Sequence, residues 1–159
     1  MRVANETLNV AAELAAAPNR LRRNLFWLLR HAARVAEDVT SARTAELGMP
    51  RGAMYSILAA LDEGGPLAQA EIGRRVRVDP STMVALLNGL EDSGYITREP
   101  DPDNKRRNRV VLSLAGHQAL IRCDQAIAGA EAEICRGLTD AQREELVTLL
   151  RAIIDNAAG

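Results

Sequence analysis

Apolar residues recur at helical spacing along most of this chain, and the pattern changes character in the middle. From Arg20, positions Leu21, Leu25, Leu28, Ala32, Val35 and Val39 alternate steps of four and three, which predicts one long helix with a heptad-like stripe that wants a partner. Ahead of it, residues 1–17 are polar and then Ala-rich, which predicts an extra N-terminal helix punctuated by Pro18-Asn19. Gly48 ends the long pattern and Pro50 opens the next helix, with Tyr55, Leu58 and Leu61 on its inner face and Asp62-Glu63-Gly64-Gly65-Pro66 as its stop. Near the other end, Ser113 caps a second long helix carrying Leu120, Cys123, Ile127, Ala130 and Ile134. Gly137 falls at a break. Thr139 and Gln142 then form a capping box for a last helix from about Asp140, with Leu146, Leu149, Leu150, Ile153 and Ile154 as its apolar residues.

The stretch between these long helices, Gln69 to Ser113, reads as two short helices, a tight turn and a β-hairpin. Asp79 is a good N-cap for the second short helix, and Pro80 suits its first position, where a missing N–H costs nothing. Met83, Leu86, Leu87 and Leu90 give that helix one apolar face, and Gly94 supplies a left-handed C-cap. Tyr95-Ile96-Thr97 predicts a strand, Pro100 to Asn104 a turn, and Arg109-Val110-Val111-Leu112 the return strand. The whole is a winged helix-turn-helix in outline. Such a unit suits duplex DNA: the second helix enters the major groove, the first braces it across the backbone, and the wing reaches an adjacent phosphate or minor groove.

Charge sharpens the picture. The wing tip holds Lys105, Arg106, Arg107 and Arg109, four cations in five residues, yet the net charge of all 159 residues is −1. From Gln69 to Ser113 there are eight Lys/Arg against seven Asp/Glu, and from Leu114 onward four against seven. A locally basic tip on a near-neutral chain fits specific duplex binding and excludes a polycation that coats nucleic acid. The length is one domain's worth of chain, with 47% hydrophobic and only 3% aromatic residues in a helix-favouring, Ala- and Arg-rich background. The opening MRVANETLNVAAELAAAP is too polar for a signal peptide, and no run approaches the ~20 apolar residues that span a bilayer, so a cytoplasmic location is expected.

Taken together, Gln69-Ala70-Glu71-Ile72-Gly73, Asp79-Pro80-Ser81-Thr82-Met83, Leu90-Glu91-Asp92-Ser93-Gly94-Tyr95-Ile96 and the wing from Asp101 to Leu112, followed by Ser113 and Gly116, resemble the multiple antibiotic resistance regulator (MarR) family of bacterial transcription factors. The similarity extends more loosely over Leu47-Gly48-Met49-Pro50 and Leu58 to Leu61. The resemblance implies a mainly α fold with a small β-hairpin wing. It also implies a homodimer on a pseudo-palindromic operator, and DNA affinity modulated by a small, often aromatic ligand. On that basis residues 1–47 and 114–159 are expected to be dimerisation helices, and 48–113 the DNA-binding domain. A repressor is the expected sign of regulation. The implied DNA contacts are Ser81, Thr82, Val84, Ala85 and Asn88 on the second short helix, Arg74 and Arg77 from the first, and Lys105, Arg106 and Arg107 on the wing. Two departures stand out. The wing reads Asn104, Lys105, Arg106 where the family has Asp followed by two Arg, with Asp103 next door as a substitute brace. Ala85 stands where an Arg often does, so base readout rests on Ser81, Thr82, Val84 or Asn88.

For a sensing site, Trp27 and His31 share a helix face, and Arg30, Met54 and Tyr55 are placed near the same junction, an aromatic cleft with one cation; a plain core or dimer-interface role for Trp27 and Phe26 is the competing reading. Cys123 and Cys135 lack CxxC spacing, and twelve residues of straight helix span roughly 18 Å, too far for a disulfide. Cys123 lies on the apolar stripe, so a buried structural thiol is expected rather than an oxidant sensor. His31 and His117 belong to no cluster with metal-ligand spacing, and no cofactor is expected. No phosphate-cradling glycine loop or nucleophile–base pair points to an enzyme. Two alternatives stay open: a winged helix used only for protein contact, and a thiol-redox-responsive regulator. The cation cluster separates the first of these from a DNA reader. If Arg106 meets DNA, Arg106→Ala weakens binding and makes log affinity less steep against log salt, by about 0.9 in slope for each phosphate it would have neutralised. Binding titrations at several salt concentrations check this, and an unchanged slope would remove Arg106 from the interface.

Overall fold

A computed structural model describes residues 12–46, 52–102, 104 and 107–158. Gly48, Met49, Pro50, Asp103, Lys105 and Arg106 therefore lie outside the described residues, as does most of the expected N-terminal helix, of which residues 12–16 are helical. The helices are α1 (Asn19–Arg22), α2 (Leu25–Glu46), α3 (Ala53–Gly64), α4 (Gln69–Val76), α5 (Pro80–Asp92), α6 (Leu114–Ile134) and α7 (Asp140–Ala158). The strands are β1 (Leu67–Ala68), β2 (Ile96–Pro100) and β3 (Asn108–Leu112).

The long helix expected from Arg20 is interrupted. Asn24 breaks it, because its side-chain oxygen accepts the N–H of Trp27 at 2.9 Å and so offers the backbone a cap in place of a continuing helix. The apolar stripe runs through this break undisturbed, which is why periodicity alone missed it. Beyond it α2 packs along α6, with Val39 of α2 and Ala130 of α6 buried and Arg43 bridging to Glu133 at 2.6 Å.

α5 is built as its residues dictate. Asp79 accepts the N–H groups of Ser81 and Thr82 at 3.1 and 3.0 Å, and Pro80 occupies the first turn. The helix ends in a Schellman motif: Gly94, at φ +73°, donates to Glu91, and Tyr95 donates to Leu90. Met83, Leu87 and Leu90 go into a single core with Ile57, Leu58 and Leu61 of α3, Ile72 of α4, Ile96 and Val110 of the sheet and Leu120 of α6. The turn between α4 and α5 uses Arg77 in the left-handed region, at φ +53°, with no glycine to announce it.

The wing is a three-stranded antiparallel sheet in the order β1-β3-β2, not the bare hairpin expected. β2 pairs with β3 from Ile96↔Leu112 to Pro100↔Asn108, and Leu67 of β1 pairs with Val110. A two-residue strand has no alternation to detect. Pro100, expected in the turn, closes β2 instead, which an edge strand tolerates because no ladder N–H is required there.

Ser113 joins wing to α6. Its hydroxyl donates to the Gly94 carbonyl at 2.7 Å and accepts the Gly116 N–H at 3.0 Å. Gly116 sits so close that a Cβ would lie 2.2 Å from the Tyr95 carbonyl oxygen. Gly116→Ala is therefore expected to destabilise the fold by at least the ~1–3 kcal/mol typical of overpacking, measured by urea denaturation; a neutral result would mean that α6 shifts freely on the wing.

Candidate nucleic-acid interface

The buried face of α5 leaves Ser81, Thr82, Val84, Ala85 and Asn88 together on the exposed face. Steps of three and four put Ser81, Val84, Ala85 and Asn88 along one line. The helix is thus held from behind and open in front. Ser81 is more constrained than its sequence suggests: its hydroxyl donates to Asp79 at 2.5 Å, so it faces outward mainly as an acceptor. The same bonds from Ser81 and Thr82 hold the Asp79 carboxyl well below the usual carboxylate range, so the cap is charged at any ordinary pH.

Arg74 and Arg77 are exposed beside this face, at the end of α4 and in the turn. Arg74 pairs with Glu71, which also meets Arg75 at 3.1 Å, so the cation of Arg74 is partly offset within its own helix. On the wing, Arg107 is exposed, while Arg109 leans across the sheet to Glu99 at 4.0 Å. Lys105 and Arg106, expected as contacts, are outside the described residues. Asp101, Asn104 and Arg107 bond to one another through the backbone and shape the base of the tip.

Arg98 was not among the expected site residues. On β2 it shares the inward face with buried Ile96, two residues before it, and it reaches α5. There it pairs with Glu91 and donates to the side-chain oxygen of Asn88 at 2.8 Å. Strand alternation carried the signal: an inward-facing Arg on a half-buried strand requires acceptors, and α5 is what the strand packs on.

The expected sensing residues are not gathered into one place. A cleft of about 730 Å³ opens between α2, α3 and α6, lined by Glu37, Thr40, Thr44, Tyr55, Ser56 and Ile127 among others. Only Tyr55 of the expected set lines it. Trp27 and His31 stack on each other with centroids 3.7 Å apart. His31 and Arg30 border a separate cleft of about 250 Å³ with Glu13 and Arg34. Met54 packs against the core instead, its methyl close to Gly89. Phe26 is 84% exposed and so is no core residue of this chain.

Tyr55 also links α3 to α6, donating to Asp124 at 2.9 Å. Burial, reinforced by that hydrogen bond and the Asp124 charge, pushes its phenol up to about 12. Cys123 is fully buried and burial pushes its thiol up, opposite to what a reactive sensor needs. Among the described residues no group of three or more His, Cys, Asp or Glu could hold a metal ion, and no helix is long and apolar enough to cross a membrane.

A family model described as MarR family matches residues 47–107, the span that carries both short helices and most of the wing. Over that span the chain is similar to the MarR family. A protein of Thauera aromatica assigned to regulation of the hcr operon is 31% identical over 100 residues, covering 63% of this chain and 60% of that protein. YcgE of Bacillus subtilis, an HTH-type regulator, is matched over 61% of its length, so the chain spans about three-fifths of these two relatives. A regulator structure from Pseudomonas aeruginosa superposes with a TM-score of 0.74 at 26% identity, covering 84% of this chain and 98% of that one. CouR, a transcriptional repressor solved on a 23-mer DNA duplex, shares the fold with a TM-score of 0.78 at 24% identity, over 86% of this chain and 96% of that one.

Removing the Tyr55 hydroxyl has a readable consequence. Tyr55→Phe is expected to lower stability at neutral pH by about 1 kcal/mol or less. The difference between wild type and variant should persist to about pH 10, where the unfolded phenol ionises, and fade as pH rises toward 12. Denaturation at a series of alkaline pH values checks the sign; a gap that widens above pH ~10 would contradict the bond.

Proposed function

We propose that this chain is a sequence-specific DNA-binding transcriptional regulator, acting as a homodimer on a pseudo-palindromic operator and most simply as a repressor. One observation carries the reading: an exposed polar helix face on α5, braced by a core behind it and flanked by a wing whose tip carries clustered cations. In this arrangement Ser81, Thr82, Val84, Ala85 and Asn88 face the major groove. Arg74 and Arg77 meet the backbone. Lys105, Arg106 and Arg107 follow the groove beside it.

Dimerisation is supported by what one chain leaves uncovered. Leu25 is 59% exposed and Ile154 58%, and Leu146, Val147, Leu149, Leu150 and Ile153 of α7 are exposed with them. α7 has no extensive packing on another described element of its own chain. A helix with that much bare apolar surface is stabilised by tertiary contact, which a second copy provides. The dyad then sets two recognition helices roughly 34–36 Å apart. On this reading residues 1–47 and 114–159 form the dimer and 48–113 the DNA-binding domain.

A small ligand modulates DNA affinity by entering the cleft between α2, α3 and α6, where it would alter how the DNA-binding lobe sits on the dimer helices. Its lining is hydroxyl-rich, and Thr40, Thr44, Tyr55 and Ser56 suit a small polar or aromatic molecule with hydrogen-bonding groups. Trp27, Arg30, His31 and Met54 contribute only if the dimer brings them nearer. A ligand acts solely through differential affinity for the two arrangements, with an expected coupling of about 1–3 kcal/mol.

The test is binding of the purified chain to the DNA flanking its own gene, with excess unrelated duplex and at several salt concentrations. The expected result is a protected inverted repeat, bound by two chains in sedimentation. Ser81→Ala and Thr82→Ala should alter relative affinities among operator variants, because base contacts carry specificity. Weak binding abolished by competitor, both at this DNA and at every fragment in a genome-wide pull-down, would refute the reading.

A further inference from the structure

We propose that the cleft between α2, α3 and α6 is a site for a protonated primary or secondary amine carrying an apolar body, and not for a carboxylate. The inference rests on the ligand-modulation reading above and deepens it by naming the chemical class. The sensing site expected from sequence joined aromatic rings to a cation, a combination for an anionic ligand. The cleft is built otherwise.

A hydroxyl has one hydrogen to give and lone pairs with which to accept. Three of the hydroxyls that line this cleft have that hydrogen committed within the chain. Thr44, only 1% exposed, donates to the Thr40 carbonyl at 3.0 Å. Tyr55 donates to Asp124 at 2.9 Å, and Ser56 to the Gly52 carbonyl at 3.4 Å. The oxygens of these three residues are left to accept. Thr40 and Ser41 also line the cleft, and their hydroxyls can turn to either role. The wall therefore favours a ligand that brings hydrogens, and a carboxylate brings none.

Charge points the same way. Glu37 is the one charged side chain among the described residues that line the cleft, and no cation among the described residues pairs with it. Asp124 places a second carboxylate behind the Tyr55 phenol. Arg43, next to Thr44 on α2, is bound to Glu133 at 2.6 Å, so its charge is offset. A cleft lined by one sign of charge concentrates the opposite sign. Ala36 and Ile127 add apolar wall for the body of the ligand. A positive nitrogen with hydrogens meets both demands, bonding to the hydroxyl oxygens and making a charge-assisted bond to Glu37. A quaternary ammonium has the charge but no hydrogen to give.

The test is an NMR titration of the full chain with three probes of similar size: 2-phenylethylamine, its N,N,N-trimethyl derivative, and 3-phenylpropanoate. Amide shifts locate each probe and give its affinity, and the spectrum itself reports whether a variant folds. The amine should shift residues 36–44 and 52–56 and bind there about fivefold tighter than either control. Glu37→Gln, an exposed position, should weaken the amine about fivefold, as loss of an ion pair near the surface does, and leave the trimethyl-to-carboxylate ranking less separated. The proposal is overturned if the carboxylate binds these residues as tightly as the amine, or if the trimethyl derivative matches it. It is equally overturned if Glu37→Gln leaves amine affinity unchanged, or if the amine shifts none of these residues at millimolar concentration. Operator binding with and without the amine is read separately. A Glu37-dependent amine site that leaves DNA affinity unchanged would uphold the ligand class and refute the ligand-modulation reading.

Discussion

The rest of the molecule depends on α5 being gripped from one side only. Met83, Leu87 and Leu90 are buried against α3, α4, the sheet and α6, and burial of such side chains contributes roughly 1.5–3 kcal/mol each. That grip leaves the opposite face free of any packing duty. Ser81, Thr82, Val84, Ala85 and Asn88 can then be chosen for what they meet outside the chain. The Asp79 cap and the Schellman turn at Gly94 define where the helix starts and stops, and so where this face is presented.

Everything around α5 transmits its position. The wing is tied to it through Arg98, and to α6 through Ser113 and the close approach of Gly116 to Tyr95. α3 is tied to α6 through Tyr55 and Asp124, and through His117, whose Nδ1 lies 2.7 Å from Asp62. Of the residues in these links, Tyr55 lines the large cleft between α2, α3 and α6. A body wedged into that cleft would act on the same elements that hold the recognition helix, which gives the proposed ligand response a mechanical route.

Most of the bare apolar side chains lie on α1, the start of α2 and α7, with Leu114 and Ile121 exposed on α6 and Val84 on the open face of α5. Association through α1, α2 and α7 would leave both recognition faces uncovered. If two copies pair in this way, folding of α7 and assembly would be one physical event, since α7 has no extensive packing on another described element of its own chain.

Much of the architecture was legible in the residues. Caps and breakers are local chemistry: Asp79-Pro80, Gly94, Ser113, Gly137 and the Thr139–Gln142 box act on the backbone within a few residues, so their placement follows from sequence. The apolar faces of α3, α5 and α6 likewise follow from periodicity, because burial selects for it. The interruption at Asn24, the strand β1, the left-handed Arg77 and the extension of β2 to Pro100 were not legible, since each is decided by a competing or distant partner. The site divides in the same way. Sequence alone determined which side chains line the open face of α5 and that the wing is basic. Only the tertiary structure decided that Arg98 donates to the oxygen of Asn88, that Asp79 engages the Ser81 hydroxyl while capping the helix, and that Tyr55 but not Trp27 faces the large cleft. Periodicity says which way a side chain faces, but the partner it finds there comes from another element brought in by the fold.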